Sequence, residues 1–121
     1  MTVAIVENQR VNESTKWYNT LVSYRKKINE LKDSLYYFSP GKTDHEAKVG
    51  IDHFHNQFHI QLVNIHDLKH EIKIHKQIVS MPEGQFSPAA HSEIKEKVDY
   101  LTGFLDELEN EYNEFLALHK W

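Results

Sequence analysis

Three segments of the sequence place apolar residues at alternating spacings of four and three residues, and this pattern constrains the fold more than any other feature. In the first segment the positions are Trp17, Leu21, Tyr24, Ile28, Leu31, Leu35 and Phe38. The second contains Ile51, Phe54, Phe58, Gln61, Ile65, Leu68, Ile72, His75 and Val79, and the third Ile94, Val98, Leu101, Leu105, Leu108, Tyr112, Phe115 and His119. Such an alternation keeps one narrow stripe, here called the seam, facing neighbouring helices. We therefore predict three long amphipathic α-helices.

Turn signals separate the three segments. The Ser-Pro-Gly sequence at 39–41 ends the first helix, because proline disfavours helical geometry in the residue before it and glycine is flexible. Thr43 and Glu46 are spaced as a capping box, in which the threonine hydroxyl accepts from the backbone of Glu46. Ser87 before Pro88 is typical of an N-cap followed by the first helical residue. We predict helices at about 14–39, 44–80 and 87–119.

Short connections between long helices favour an up-down-up path, because about six residues cannot carry the chain back along a helix. The predicted fold is all-α, an antiparallel three-helix bundle with coiled-coil-like heptad packing. Charge supports this arrangement: residues 14–38 contain five Lys and Arg against two acids, whereas residues 89–121 contain eight acids against three lysines. The first and third helices should therefore attract each other, which selects their pairing more than it adds stability.

The chain has the size of one domain, and we assign residues 14–121 to it. Residues 1–13 include the β-prone Thr-Val-Ala-Ile-Val and are interpreted as an N-terminal arm, either disordered or docked on the bundle. The absence of cysteine is compatible with a reducing compartment, and we expect a cytoplasmic, unprocessed protein. No segment approaches the roughly 20 apolar residues of a membrane span, and basic residues are not clustered. Neither a membrane nor a nucleic acid is an expected partner.

Histidines are dense in the second predicted helix, where six of the nine lie between residues 53 and 75. Helical geometry places four of them within an arc of roughly 60°, about 130° from the seam. These are His55, His59, His66 and His70. They form two HxxxH pairs, and each pair can share one metal ion, although about 10.5 Å along the axis separates the pairs. Three interpretations stay open: an open site for zinc, nickel or copper, a pH-responsive surface, and an ordinary solvated face.

No reaction motif is present: the sequence has no glycine-rich phosphate loop, nucleophile elbow or HExxH, and no cofactor is expected. Nor does it resemble a characterised family, since heptads occur in many unrelated proteins. Gln61 and His75 occupy seam positions and should be buried with hydrogen-bond partners. Three apolar residues of the second helix, Ile60, Val63 and Ile74, lie nearly opposite its seam. We expect a non-enzymatic interaction module whose partner is another protein or, as a homodimer, a second copy. A histidine-rich metal-binding or pH-responsive protein is the alternative.

Overall fold

Three α-helices form the bundle that the seams predict. The computed structural model describes residues 2–79 and 88–119, with side chains from residue 9 onward. The helices are α1 (Thr2–Phe38), α2 (His45–Val79) and α3 (Pro88–Leu118), and within the described ranges there is no strand. All three helices contact one another, and their ends agree closely with the predicted ones except at the start of α1. Residues 80–87, which include the predicted end of the second helix at residue 80 and the predicted Ser87 N-cap, lie outside the described residues.

The first helix begins at Thr2, twelve residues before the predicted start near residue 14. Residues 2–13, which we interpreted as a separate arm, therefore continue α1. The physical reason is that the first 39 residues contain neither proline nor glycine, so nothing stops the helix. Ser14 does not act as an N-cap, because its hydroxyl donates to the Arg10 carbonyl oxygen at 2.8 Å within the helix.

Side-chain contacts define the direction of each helix. Residues of α1 meet residues of α3 that follow them by 78 to 82 positions along the whole length, so the two helices run parallel. The contacts are Glu13 to His91, Tyr24 to Asp106, Lys27 to Glu109 and Ser34 to Tyr112. The middle helix runs the other way, since Lys69 lies over the Tyr18 ring of α1, whereas the earlier residue Ile51 lines a groove with the later residue Leu35. The Lys27–Glu109 ion pair, at 2.9 Å, joins the basic and acidic helices.

The turn between α1 and α2 corrects the predicted cap. Gly41 has a φ of 84°, a left-handed conformation that glycine adopts at low cost. The backbone N–H of Ala47 donates to Asp44 Oδ2 at 3.2 Å, and α2 begins at His45. Asp44 is thus the N-cap, one residue after the predicted Thr43, and Ala47 at the third helical position has no side-chain acceptor that could complete a capping box with it. Lys42 Nζ donates to the His119 carbonyl oxygen at 2.8 Å and holds this turn against the end of α3.

The seams supply the core. Fully buried apolar positions come from all three helices. They include Leu21, Ile28, Leu35, Phe54, Phe58, Ile65, Ile72, Ile94, Val98, Leu105, Leu108 and Tyr112. The buried polar residues include the two predicted from the seam of α2, Gln61 and His75, each 5% exposed. The amide of Asn64 donates to Gln61 Oε1 at 3.1 Å, as a buried polar group requires.

Candidate functional site

The outer face of α2 carries the apolar residues that the core does not use. Ile60, Val63 and Ile74, the predicted interface residues, are each 46% exposed. Val49 is 54% exposed and shares their face, because residues 11 positions apart differ by only about 20° around a helix. The four residues fall within an arc of roughly 60° and extend about 37 Å along the axis. We call them the apolar row.

The four stripe histidines lie beside the apolar row. His55, His59, His66 and His70 are all exposed, as the helical geometry predicts. Their arc borders that of the apolar row on the side nearer to α1. Seen from outside, α2 therefore presents two adjacent bands. One contains the apolar row, with Asn56 and Asp67 between its members, and the other contains the imidazoles.

His55 also lines an open groove of about 530 Å³ between the C-terminal part of α1 and the N-terminal part of α2. Leu35, Ile51 and the exposed Tyr36 form much of its apolar wall, and Lys32 lies at its edge. An imidazole at the rim of an apolar groove can contact a partner through both its ring face and its nitrogen atoms.

Within the described ranges, no third ligand accompanies the predicted metal residues. Among the residues that the structure describes, no group of three or more His, Cys, Asp or Glu side chains is arranged to hold a metal ion. The two HxxxH pairs are half-sites on an exposed face. Metal binding by them stays a prediction, and it needs ligands from a second molecule or from water.

A partly buried chain of hydrogen bonds, not foreseen from the sequence, joins all three helices at the opposite end of α2. His75 Nε2 lies 2.8 Å from His91 Nδ1, and His91 Nε2 lies 3.0 Å from Glu13 Oε2. The side chain of His91 is 13% exposed and that of Glu13 is 39% exposed. We call this array the Glu13–His91–His75 chain.

Aromatic stacking and burial fix the imidazoles in place. The Trp17 ring lies 4.7 Å from the His91 ring, and the two histidine rings are 5.0 Å apart, centre to centre. Burial lowers the pKa of His75, and the neighbouring His91 lowers it further, while Glu71 acts in the opposite direction. The Glu71 carboxylate is bound to Lys97 Nζ at 2.7 Å.

The position of His91 facing the core could have been predicted from the seam of α3. This residue lies three positions before Ile94 and seven before Val98, so extending the spacing backward by one step predicts that it faces the core. Ser14 lies seven positions before Leu21 in the same way, and it is buried. Glu13 precedes Ser14 on the side of α1 that faces α3, and no spacing rule predicts that it contacts His91.

Comparisons with known proteins add no assignment: no family model, no curated protein and no solved structure matches the chain. Among the described helices, none combines the length and the apolar character needed to cross a membrane.

Proposed function

We propose that this protein is a non-enzymatic α-helical interaction module that self-associates through the apolar row of α2. The observation that supports the proposal is the exposure of Ile60, Val63 and Ile74, each 46%, on a face that neither α1 nor α3 covers in the part of the chain that the structure describes. Burying these aliphatic side chains against a partner gains about 25 cal/mol for each Å² of surface removed from water. The sequence contains no reaction motif, and we propose a binding role without catalysis. A chain without cysteine is compatible with a reducing compartment, and we propose that the protein acts in the cytoplasm.

The charge of α2 favours a second copy of this chain as the partner. Between His45 and Val79 four acids balance four lysines, whereas α3 is strongly acidic and α1 is basic. Two copies of α2 can therefore meet without net repulsion, which is not true of α1 with α1 or α3 with α3. A two-fold axis would pair the same patch on both copies.

An antiparallel contact between the two copies of α2 is self-complementary. In the register that places Val63 opposite Ile74 of a second copy, Asp67 falls opposite His70 of that copy, and the same pairs recur across the axis. Val63 and Ile74 then meet each other, and Ile60 falls opposite Gln77 of the second copy. A carboxylate meets an imidazole that can donate to it. The two bundles together would form a six-helix dimer with coiled-coil-like packing.

Native mass spectrometry of tag-free protein, purified without a metal column, tests this proposal. We expect a dimer for the wild-type chain and a monomer for the double variant Ile60→Glu with Ile74→Glu. Glutamate is a good helix former, so the substitution should remove the apolar contact without breaking α2. Tyr100→Glu, which alters an exposed aromatic residue of α3, is the matched control and should stay dimeric. A monomeric wild-type chain at every concentration, or a double variant that stays dimeric, would contradict the proposal.

Metal binding by the histidine stripe is the second candidate function. The exposure of His55, His59, His66 and His70 on one face supports it, because each HxxxH pair can accept zinc without rearranging the core. The same spectra recorded before and after one equivalent of zinc give the metal content and the mass together. Retained zinc that is lost in a His55→Gln, His66→Gln variant would support this role, and a chain indifferent to zinc would remove it.

A further inference from the structure

The Glu13–His91–His75 chain has one consistent arrangement of protons when Glu13 is ionised and both histidines are neutral. The carboxylate only accepts, so His91 Nε2 carries a proton and donates to it. A neutral imidazole has one N–H, and His91 Nδ1 is then an acceptor. His75 Nε2 must therefore donate to His91 Nδ1, across the 2.8 Å that separates them.

One additional proton can enter without breaking either hydrogen bond. His91 then carries protons on both nitrogens and donates from Nε2 to Glu13 and from Nδ1 to His75. His75 stays neutral with its proton on Nδ1, so that Nε2 becomes the acceptor. The new positive charge lies against the Glu13 carboxylate, with Nε2 and Oε2 3.0 Å apart.

A second proton is incompatible with the same geometry. If His75 is also protonated, two N–H groups point at each other between nitrogens that are 2.8 Å apart, with no acceptor between them. Two positive charges then face each other away from bulk water, where their repulsion is weakly screened. The contact between α2 and α3 at this point has to open.

Charged groups of all three helices lie around the two histidines. Among the described residues they are Arg10, Glu13 and Lys16 on α1, Glu71 and Lys76 on α2, and Glu93, Lys95, Lys97 and Asp99 on α3. Glu13 is bound to His91, and Glu71 is bound to Lys97.

We propose that the Glu13–His91–His75 chain is a proton-operated latch that holds the first turns of α3 against α1 and α2 at neutral pH and releases them in acid. Release separates His91 from Trp17 and Ile94 from the core, which exposes apolar surface at this end of the bundle. The latch is independent of the apolar row on the outer face of α2. It would operate in a monomer as well as in a dimer.

Tryptophan fluorescence tests the latch directly, because Trp17 stacks on His91. The chain has two tryptophans, and Trp121→Phe leaves Trp17 alone. Between about pH 8 and about pH 5, where histidines titrate, we expect emission to be quenched and then shifted to longer wavelength as Trp17 meets water. Emission that stays constant over this range would overturn the proposal.

Glu13→Gln separates a latch from a merely structural contact. The glutamine oxygen still accepts from His91 Nε2, so both hydrogen bonds of the Glu13–His91–His75 chain can form while the histidines are neutral. The negative charge that balances the first proton is lost. We expect the fluorescence midpoint to move to lower pH in this variant. His66→Gln is the control and should leave the midpoint unchanged, because His66 is exposed and does not belong to the Glu13–His91–His75 chain. Equal midpoints in Glu13→Gln and the control would overturn the proposal.

Amide hydrogen exchange, corrected for the intrinsic effect of pH, locates the release. The first turns of α3, from Ala90 to Ile94, should lose protection in acid while the segment around Tyr112 keeps it. Uniform loss along α3, or no loss at all, would contradict a local latch.

Discussion

Gly50 of α2 lies directly beneath the ring of Phe115 of α3, and a Cβ atom at residue 50 would overlap that ring. The ring has little room to move, because Phe38 and Phe54 surround it with centroids 5.6 and 5.2 Å away. The glycine thus permits the close approach of α2 and α3 at the end of the bundle opposite to the Glu13–His91–His75 chain.

Replacing this glycine should destabilise the protein even though alanine is the better helix former. In Gly50→Ala the gain in helix propensity is about 1 kcal/mol. The overlap with Phe115 forces the packed rings apart, and overpacking of this kind costs about 1–3 kcal/mol. We expect a net loss of about 1 kcal/mol in the free energy of unfolding, measured by chemical denaturation.

Gly103 of α3 supplies the matched control. It is also a helical glycine, but nothing lies within 4 Å of a Cβ placed there. Gly103→Ala should therefore raise the free energy of unfolding by about 0.5–1 kcal/mol, the helix-propensity gain alone. If both substitutions stabilise the protein equally, the contact between Gly50 and Phe115 is not tight.

The hydroxyl of Tyr112 depends on Ser34. Tyr112 is 0% exposed, and its hydroxyl lies 2.9 Å from Ser34 Oγ. In the wild-type background Ser34→Ala leaves a buried hydroxyl without this partner, which costs about 1–3 kcal/mol. In a Tyr112→Phe background no such hydroxyl remains, and Ser34→Ala should gain about 0.5 kcal/mol from helix propensity.

A double-mutant cycle measured by chemical denaturation isolates this effect, because the propensity change is common to both backgrounds. The sign of the Ser34→Ala effect should reverse when Tyr112 is replaced. An additive cycle would mean that the two hydroxyls do not depend on each other.

The N-cap of α2 can be assigned by two neighbouring substitutions. Asp44 Oδ2 accepts from the Ala47 N–H, so Asp44→Ala should reduce the free energy of unfolding by about 1 kcal/mol. Thr43→Ala, one residue earlier, should change it by less than about 0.5 kcal/mol. Thermal or denaturant unfolding of the two variants in parallel decides between them, and a larger cost at Thr43 would restore the capping box that the sequence predicts.

The heptad spacing predicted the seams well, because burial of a helical stripe depends on residues only three or four positions apart. Gln61 and His75 were found in this way even though they are polar. The start of α1 was missed for a different reason: the β-prone residues near the N-terminus suggested a break, but no proline or glycine is present there to make one.

The Glu13–His91–His75 chain could not be derived from spacing alone. It depends on the axial register between three helices, with Glu13 and His91 separated by 78 residues. A seam says which face of a helix is buried but not which residue of the neighbouring helix lies opposite it. Extending the α3 seam back to His91 would have predicted a second buried histidine, and His75 would then have been the natural partner to examine.

Acid should destabilise the fold through His75. Its pKa is lowered in the folded state, chiefly by burial and also by His91, relative to about 6.5 in an unfolded chain. The unfolded chain therefore binds more protons, and the free energy of unfolding should be fully retained above about pH 6.5 and fall as the pH drops towards the lowered pKa. His75→Leu removes the titrating group and should flatten this part of the profile, although it also removes the hydrogen bond between His75 and His91 and lowers stability at neutral pH. Denaturation curves at a series of pH values compare the two chains. If both profiles fall equally, the exposed histidines or the carboxylates cause the acid sensitivity instead of His75.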